Sequence, residues 1–345
     1  MDFDFDGVVS LRFKSESLSN IEDIFKVWQK PIERPDLTMG PGDPSNVTLR
    51  VDDHLAVSEK GYQIINSDTT YEVGGNDIIF NGPVDYDFLD GRILQPVLNR
   101  IIVPKGWCFA HASAVSSGDS IAVFAAMGGT GKTNLLIELL GRGLGYMGDD
   151  KIIVSRDGRC LLYPHGIHLL NYNCKMFPEV FEKAFKDKAE LRKKKRRLAR
   201  YEKGLRMSEN NPLARWVKNQ YTSRFYISEK VPPERLFPHS RRRTSGKATH
   251  VIMLRSGDSR MKMTRSSSKT IAPLVSASTW LDNNEWLHSI MAGLSGMEHH
   301  TIEDCTGILS DFLDRVECYE FSMGRSYGRN DLVEIADEIE SLMGK

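Results

Sequence analysis

The fold class predicted by this sequence is α/β: a glycine-rich strand–loop–helix unit, a small β-rich domain before it and a basic helical insertion after it. Three observations predict it. The apolar run Ser-Ile-Ala-Val-Phe-Ala-Ala at 120–126 leads through Met-Gly-Gly-Thr-Gly-Lys-Thr into the helical pattern Asn-Leu-Leu-Ile-Glu-Leu-Leu-Gly at 134–141. Short alternating stretches separated by turn residues occupy 48–65. Charge is also segregated along a chain of zero net charge: residues 1–100 carry 9 basic and 18 acidic side chains, 101–182 carry 7 and 7, 183–279 carry 26 and 7, and 280–345 carry 4 and 14. Such asymmetry speaks about partners more than about fold.

Taken in order, residues 1–100 form the β-rich domain, with strands expected at 48–52, 55–58 and 62–65 and a Pro/Gly/Asp-rich connection at 35–45. Nothing in this part carries recognisable chemistry, and substrate docking, oligomerisation and a purely structural role all fit it. A helical pattern over 87–103 (Phe88, Leu89, Ile93, Leu94, Val97, Leu98, Ile101) leads into a second domain spanning 101–345, and Pro96 is expected to kink or divide that helix.

Residues 126–133, Ala-Met-Gly-Gly-Thr-Gly-Lys-Thr, have the form of a phosphate-binding loop. Gly128, Gly129 and Gly131 let the backbone approach phosphates closely, and the N–H groups around Thr130 and at the helix start, where Asn134 follows, face them. Lys132 reaches the outer phosphates and the Thr133 hydroxyl is placed to ligate Mg2+. Seventeen residues past Lys132 stands Asp149-Asp150, at the end of a short strand. In open α/β sheets chemistry gathers at such strand ends. The two carboxylates are suited to holding a metal or taking a proton from an attacking hydroxyl. Sequence alone does not say which Asp does which.

Together, His111-Ala-Ser-Ala-Val, the 126–133 loop and Arg-Gly-Leu-Gly-Tyr-Met-Gly-Asp-Asp at 142–150 resemble the catalytic domain of the HPr kinase/phosphorylase family. They are closer still to its divergent relatives, the HPr kinase-like proteins found beside peptide- and polymer-modifying genes. The resemblance covers residues 107–170, with strands at 248–255 and 316–321 also matching. It implies a P-loop kinase domain of the phosphoenolpyruvate-carboxykinase-like fold, using ATP and Mg2+. The functional residues it implies are His111, Lys132, Thr133, Asp149 and Asp150, and it makes self-association worth testing. The family's glycine-rich signature segment has no counterpart here, so neither phosphorylase activity nor HPr as substrate follows.

Residues 176–245 are the basic insertion. A long helix is expected over 179–206 with Arg-Lys-Lys-Lys-Arg-Arg at 192–197, followed by prolines at 212, 232, 233 and 238, interleaved aromatics (Trp216, Tyr221, Phe225, Tyr226) and three arginines at 241–243. The basic segment 183–279 reads as a docking surface for an acidic peptide, RNA or another anionic macromolecule, or as a solvated face that meets the protein's own acidic ends. Six consecutive basic residues surround a helix on all sides, which an intramolecular role alone does not account for.

The remaining features set bounds. His165 and His168 are three apart without further ligands at a metal-site spacing, and their segment is expected to lead back over the nucleotide site, where a polar residue could contact substrate. His299-His300 reads as surface, and the serines at 266–268 as a flexible or modifiable loop. Five scattered cysteines without a CxxC pair indicate reduced thiols. With an acidic start and no stretch near the ~18 apolar residues that span a bilayer, a cytoplasmic protein is expected. The predicted activity is ATP-dependent phosphoryl transfer to a hydroxyl, most simply a serine of a protein or peptide. A nucleic-acid, sugar or metabolite hydroxyl, and a nucleotide-gated ATPase or binding module, are the alternatives.

Overall fold

The computed structural model describes residues 2–5, 8–14, 46–51, 62–66, 69–74, 77–81, 88–257, 262–283, 302–324 and 327–344. The expected strand at 55–58, the connection at 35–45 and His299-His300 lie outside the described residues. The architecture is mixed α/β with several sheets.

The N-terminal part forms one six-stranded sheet from β1 (Asp2–Phe5), β2 (Val9–Lys14), β3 (Asn46–Val51), β4 (Tyr62–Asn66), β5 (Thr69–Gly74) and β6 (Asp77–Asn81), in the order β1-β2-β3-β6-β5-β4. Here β2, β3 and β6 run parallel to one another, and β6, β5 and β4 form an antiparallel meander. Lys105 Nζ donates to Val8 O at 2.5 Å, tying this sheet to the following segment.

The expected 87–103 helix is not divided at Pro96; it changes type just before that residue while its backbone stays right-handed helical. A π-helical stretch, Leu89–Leu94, gives way to α1 (Gln95–Ile102), and Pro96 falls in the first turn of α1, where a missing N–H costs no helical bond. Every residue of α1 is buried.

Two sheets then share the chain. The larger contains β8 (Ala112–Ser117), β9 (Ser120–Ala126), β10 (Gly145–Gly148), β16 (His250–Gly257), β17 (Lys262–Ser266) and β18 (Glu317–Gly324), ordered β10-β8-β9-β16-β18-β17. The smaller is β15-β12-β11-β7, from β7 (Trp107–Ala110), β11 (Ile152–Ser155), β12 (Arg159–Leu162) and β15 (Ser245–Lys247). Strands β9, β16 and β18 are mutually parallel, and β10 points the same way because both it and β9 are antiparallel to β8. Their carboxyl ends therefore gather at one end of the sheet.

The strand–loop–helix unit forms as its pattern predicts: β9 is followed by α2 (Lys132–Gly141). The continuous apolar run in β9 is explained by burial on both faces. Ala122, Phe124 and Ala126 pack with α2 (Leu135, Leu136, Leu139) and with α10 (Arg329–Leu342) through Leu332 and Ile335. On the other face Ile121, Val123 and Ala125 join Ile271 and Val275 of a helix at Ser268–Asn283 and Ile308 of another at Ile302–Leu313.

The single helix expected over 179–206 is instead two. After α3 (Asn171–Met176), α4 (Pro178–Ala184) stops and α5 (Lys188–Leu205) starts anew. Phe185 turns into the core edge-on to Phe181, with ring centroids 5.4 Å apart, and Asp187 caps α5 by accepting from the N–H groups of Ala189 at 2.9 Å and Glu190 at 3.3 Å. α6 (Pro212–Arg224) folds back on α5, where a Cβ on Gly204 would lie 2.7 Å from the Tyr221 ring and 2.8 Å from the Thr222 methyl. The α7 turn (Pro233–Leu236), α8 (Ser268–Asn283) and α9 (Ile302–Leu313) complete the helices before α10. The serines at 266–268 are tied down rather than loose: Ser266 Oγ donates to Glu320 at 2.8 Å and Ser268 to Asp314.

Candidate active site

The chain crosses between the two sheets at two places, and they lie side by side. It leaves β7 for β8 at His111, and it leaves β10 for β11 through residues 149–151. Pairing of Ile152 with Ala110 holds the two crossings together. His111 is thus at a strand junction, its N–H donating to Thr279 Oγ1 at 3.1 Å. At the second crossing the backbone turns sharply: Lys151 N donates to Asp149 O at 2.8 Å, and Asp150 adopts a left-handed φ of 69°. Asp tolerates this conformation better than most side chains.

The 126–133 loop arrives at the same place from β9. Gly129 and Gly131 have φ of 79° and 114°, a conformation that favours glycine, and Thr130 donates through N and Oγ1 to Met127 O at 3.3 and 2.8 Å. Lys132 is 7% exposed, its Nζ donating to Ala126 O at 2.8 Å and meeting His111 Nε2 at 2.5 Å. With an ammonium donating to Nε2, the imidazole proton is assigned to Nδ1. That nitrogen lies 3.3 Å from Asp150 Oδ1.

The two carboxylates occupy different environments. Asp149 is fully buried and accepts from Ser113 Oγ at 2.7 Å, His168 N at 3.1 Å and Thr133 Oγ1 at 3.2 and 3.3 Å. Burial raises its pKa, with the neighbouring Asp150 charge acting in the same direction and the Ser113 and His168 donors acting against it. Asp150 keeps 36% of its side chain exposed and faces His111.

Sequence reasoning missed several contributors because each comes from a distant segment. Ser113 and the His168 backbone hold Asp149. Tyr327, beyond β18, accepts from Asn134 Nδ2 at 2.9 Å, and Asn134 Oδ1 accepts from Asn173 Nδ2 at 2.7 Å. Tyr172 is 40% exposed and lies within electrostatic reach of Asp149, Asp150, Tyr226 and Tyr327.

The His165–His168 pair is not a metal pair. His165 Nε2 meets buried Asp90 Oδ2 at 2.5 Å, and Tyr163 OH donates to Asp90 Oδ1 at 2.5 Å. His168 Nε2 turns to Ser228 Oγ at 2.7 Å. Burial alone would push the Asp90 carboxyl up. The charge and hydrogen bond of His165, with Lys230 and Tyr163, overcome this and hold it down at about 2. Among the described residues no group of three or more His, Cys, Asp and Glu side chains forms a metal cluster. The five cysteines are buried and unpaired. No described helix is long and apolar enough to cross a membrane. The arginines at 241–243 stand apart from the loop. They line a cavity of about 570 Å³ with Ser116, Ser117 and Gly145, at the opposite end of β8 from His111.

No family model and no curated protein matches the chain. Among solved structures the chain is similar to the HPr(Ser) kinase/phosphatase from Coxiella burnetii, at 9% identity over 68% of this chain and 89% of that one, with a TM-score of 0.28. A superposition that loose assigns no chemistry, which rests instead on the site's own residues.

Proposed function

We propose that this protein is an ATP-dependent kinase that transfers the γ-phosphate to a hydroxyl, with a serine of a peptide or protein as the acceptor. The observation carrying this reading is the division of labour between the two carboxylates: Asp149 is buried against Thr133, while Asp150 is half-exposed against His111. In a phosphoryl-transfer site one carboxylate belongs with the loop threonine and the metal, and another with the incoming hydroxyl. Asp149 and Thr133 are the oxygen donors that would hold Mg2+, a hard cation, and their side-by-side placement fits that donor preference. When bound, the ion would neutralise charge on the phosphate oxygens.

Asp150 accepts the acceptor's proton in this reading, oriented by His111, and Lys132 with the loop N–H groups from Gly128 to Thr133 stabilises charge on the transferring group. The serine acceptor rests on the resemblance of the loop and Asp-Asp motifs to the HPr kinase-like proteins. The assay is γ-labelled ATP with fractionated cell extract. Label entering protein, and ADP formed only when acceptor is present, is the expected outcome. Label in RNA or small molecules moves the acceptor to those hydroxyls. Phosphate released at the same rate without any acceptor makes the protein an ATPase and overturns the proposal.

A further inference from the structure

The basic insertion has a defined place beside the site. α5 and α6 are inserted, with α3 and α4, between the strands of a two-stranded ribbon, β13 (Ile167–Leu170) and β14 (Ser228–Val231). β13 carries the His168 N–H that donates to Asp149. Arg197 of α5 donates to Tyr226 O at 2.8 Å, tying α5 to the segment that leads into β14. The hairpin is therefore carried on the ribbon whose β13 strand touches Asp149.

Its surface is divided. Leu191 and Leu198 anchor α5 to the core, and two charges of the basic run are answered locally, Lys194 by Glu229 and Lys195 by Glu182. Lys193, Arg196, Lys203 and Arg206 are exposed, with no ion pair among the described residues. Four acidic residues of the protein's own C-terminal part are engaged elsewhere: Asp337 and Glu340 with Arg142, Glu320 with Arg255, and Glu317 with Arg265. On α6, Leu213, Trp216 and Val217 are 69%, 59% and 40% exposed at the i, i+3, i+4 spacing that makes one helical stripe.

We infer that this hairpin is the docking surface for the acceptor, a peptide segment rich in Asp and Glu that carries aliphatic anchors near its serine; the inference rests on the kinase reading above. Charge complementarity selects the acidic partner, and the Leu213–Trp216–Val217 stripe selects one with apolar side chains to bury. Single-stranded nucleic acid suits this surface less well. Base stacking needs aromatic platforms along a continuous basic track. Here two of the three residues in the α6 stripe are aliphatic, and two lysines of the basic run are paired with Glu229 and Glu182.

The test uses the full chain and a fluorescein-labelled synthetic peptide with five Asp/Glu residues, two leucines and one serine. Binding is read by anisotropy and transfer by γ-labelled ATP, alongside a lysine-for-glutamate version of the peptide and a twelve-nucleotide oligouridylate. The expected result is binding of the acidic peptide only, weakened by salt. In the variant Lys193→Gln, Arg196→Gln, Lys203→Gln, Arg206→Gln, and separately in Leu213→Ser, Trp216→Ala, Kd and KM for the peptide rise about tenfold while labelled-ATP binding is kept. Unchanged Kd in both variants overturns the docking surface, as does tighter binding of oligouridylate that is lost in the same variants. Peptide bound on the hairpin without any transfer to it, or to any other hydroxyl, overturns the kinase reading and leaves the docking surface standing. Transfer with an unaltered KM in the variants does the reverse.

Discussion

Charge is handled in opposite ways in the seam between the sheets and in the α5–α6 hairpin. In the seam Lys132 has Ala126 and His111, Asp149 has Ser113, Thr133 and the His168 N–H, and Asp150 has His111. On the hairpin Lys193, Arg196, Lys203 and Arg206 project into solvent. Burying a charge without partners costs far more than exposing one. The seam's partners are therefore required by its burial, and they fix atoms in place. The hairpin's charges carry no such requirement, which leaves them available to something outside the chain.

Substitutions in the two regions should differ in kind and in size. The largest effect is expected at Asp150→Asn, where loss of a base lowers transfer about 10²–10⁴-fold while labelled-ATP binding is retained, measured with single-turnover kinetics. Loss of nucleotide binding there would move Asp150 from the acceptor side to the nucleotide side. Next comes Gly131→Ala: the new methyl meets the Tyr327 hydroxyl 2.3 Å away at a φ of 114°, costing about 1–3 kcal/mol of stability and weakening nucleotide affinity.

Asp90→Asn tests the buried network behind the site. The carboxyl is depressed from 3.8 to about 2, so its contribution, about 2 kcal/mol, is present above the unfolded value and lost as pH falls from about 4 toward 2. Denaturant midpoints of wild type and variant should differ most above pH 4 and converge toward pH 2. The smallest effect is expected at Arg196→Gln, within about 0.5 kcal/mol of wild-type stability at any pH. A large stability loss there would mean that the hairpin charges serve the fold.

Much of the centre was legible in the sequence because it is local. The strand–loop–helix unit spans a single stretch of chain, and the glycines at 129 and 131 advertise backbone that other residues avoid. The Asp pair was visible from its position behind the loop. The assignment of each Asp was not, because it depends on Ser113 and His168, which are brought in from 36 and 19 residues away. Tyr327 reaches Asn134 across 193 residues, a contact no pattern announces. The helix break at 185–187 did leave a trace: Asp187 followed by Glu190 is the sequence of a helix start, and the long basic run hid it. The His165–His168 pair, which lacked further ligands in the sequence, sends its side chains to different partners, His165 toward Asp90 and His168 toward Ser228.

The two crossings also limit how the chain can vary. One residue, His111, separates β7 from β8, and three residues, 149–151, separate β10 from β11. All four strands are paired, with Ala110 opposite Ile152 and Ala114 opposite Gly148. Adding or removing a residue in either connection would push one strand out of step and send its side chains to the wrong face. At these positions length is constrained alongside chemistry: a replacement is expected to be tolerated more readily than an insertion, which the pairing must absorb as it does the irregularity between Tyr146 and Gly148.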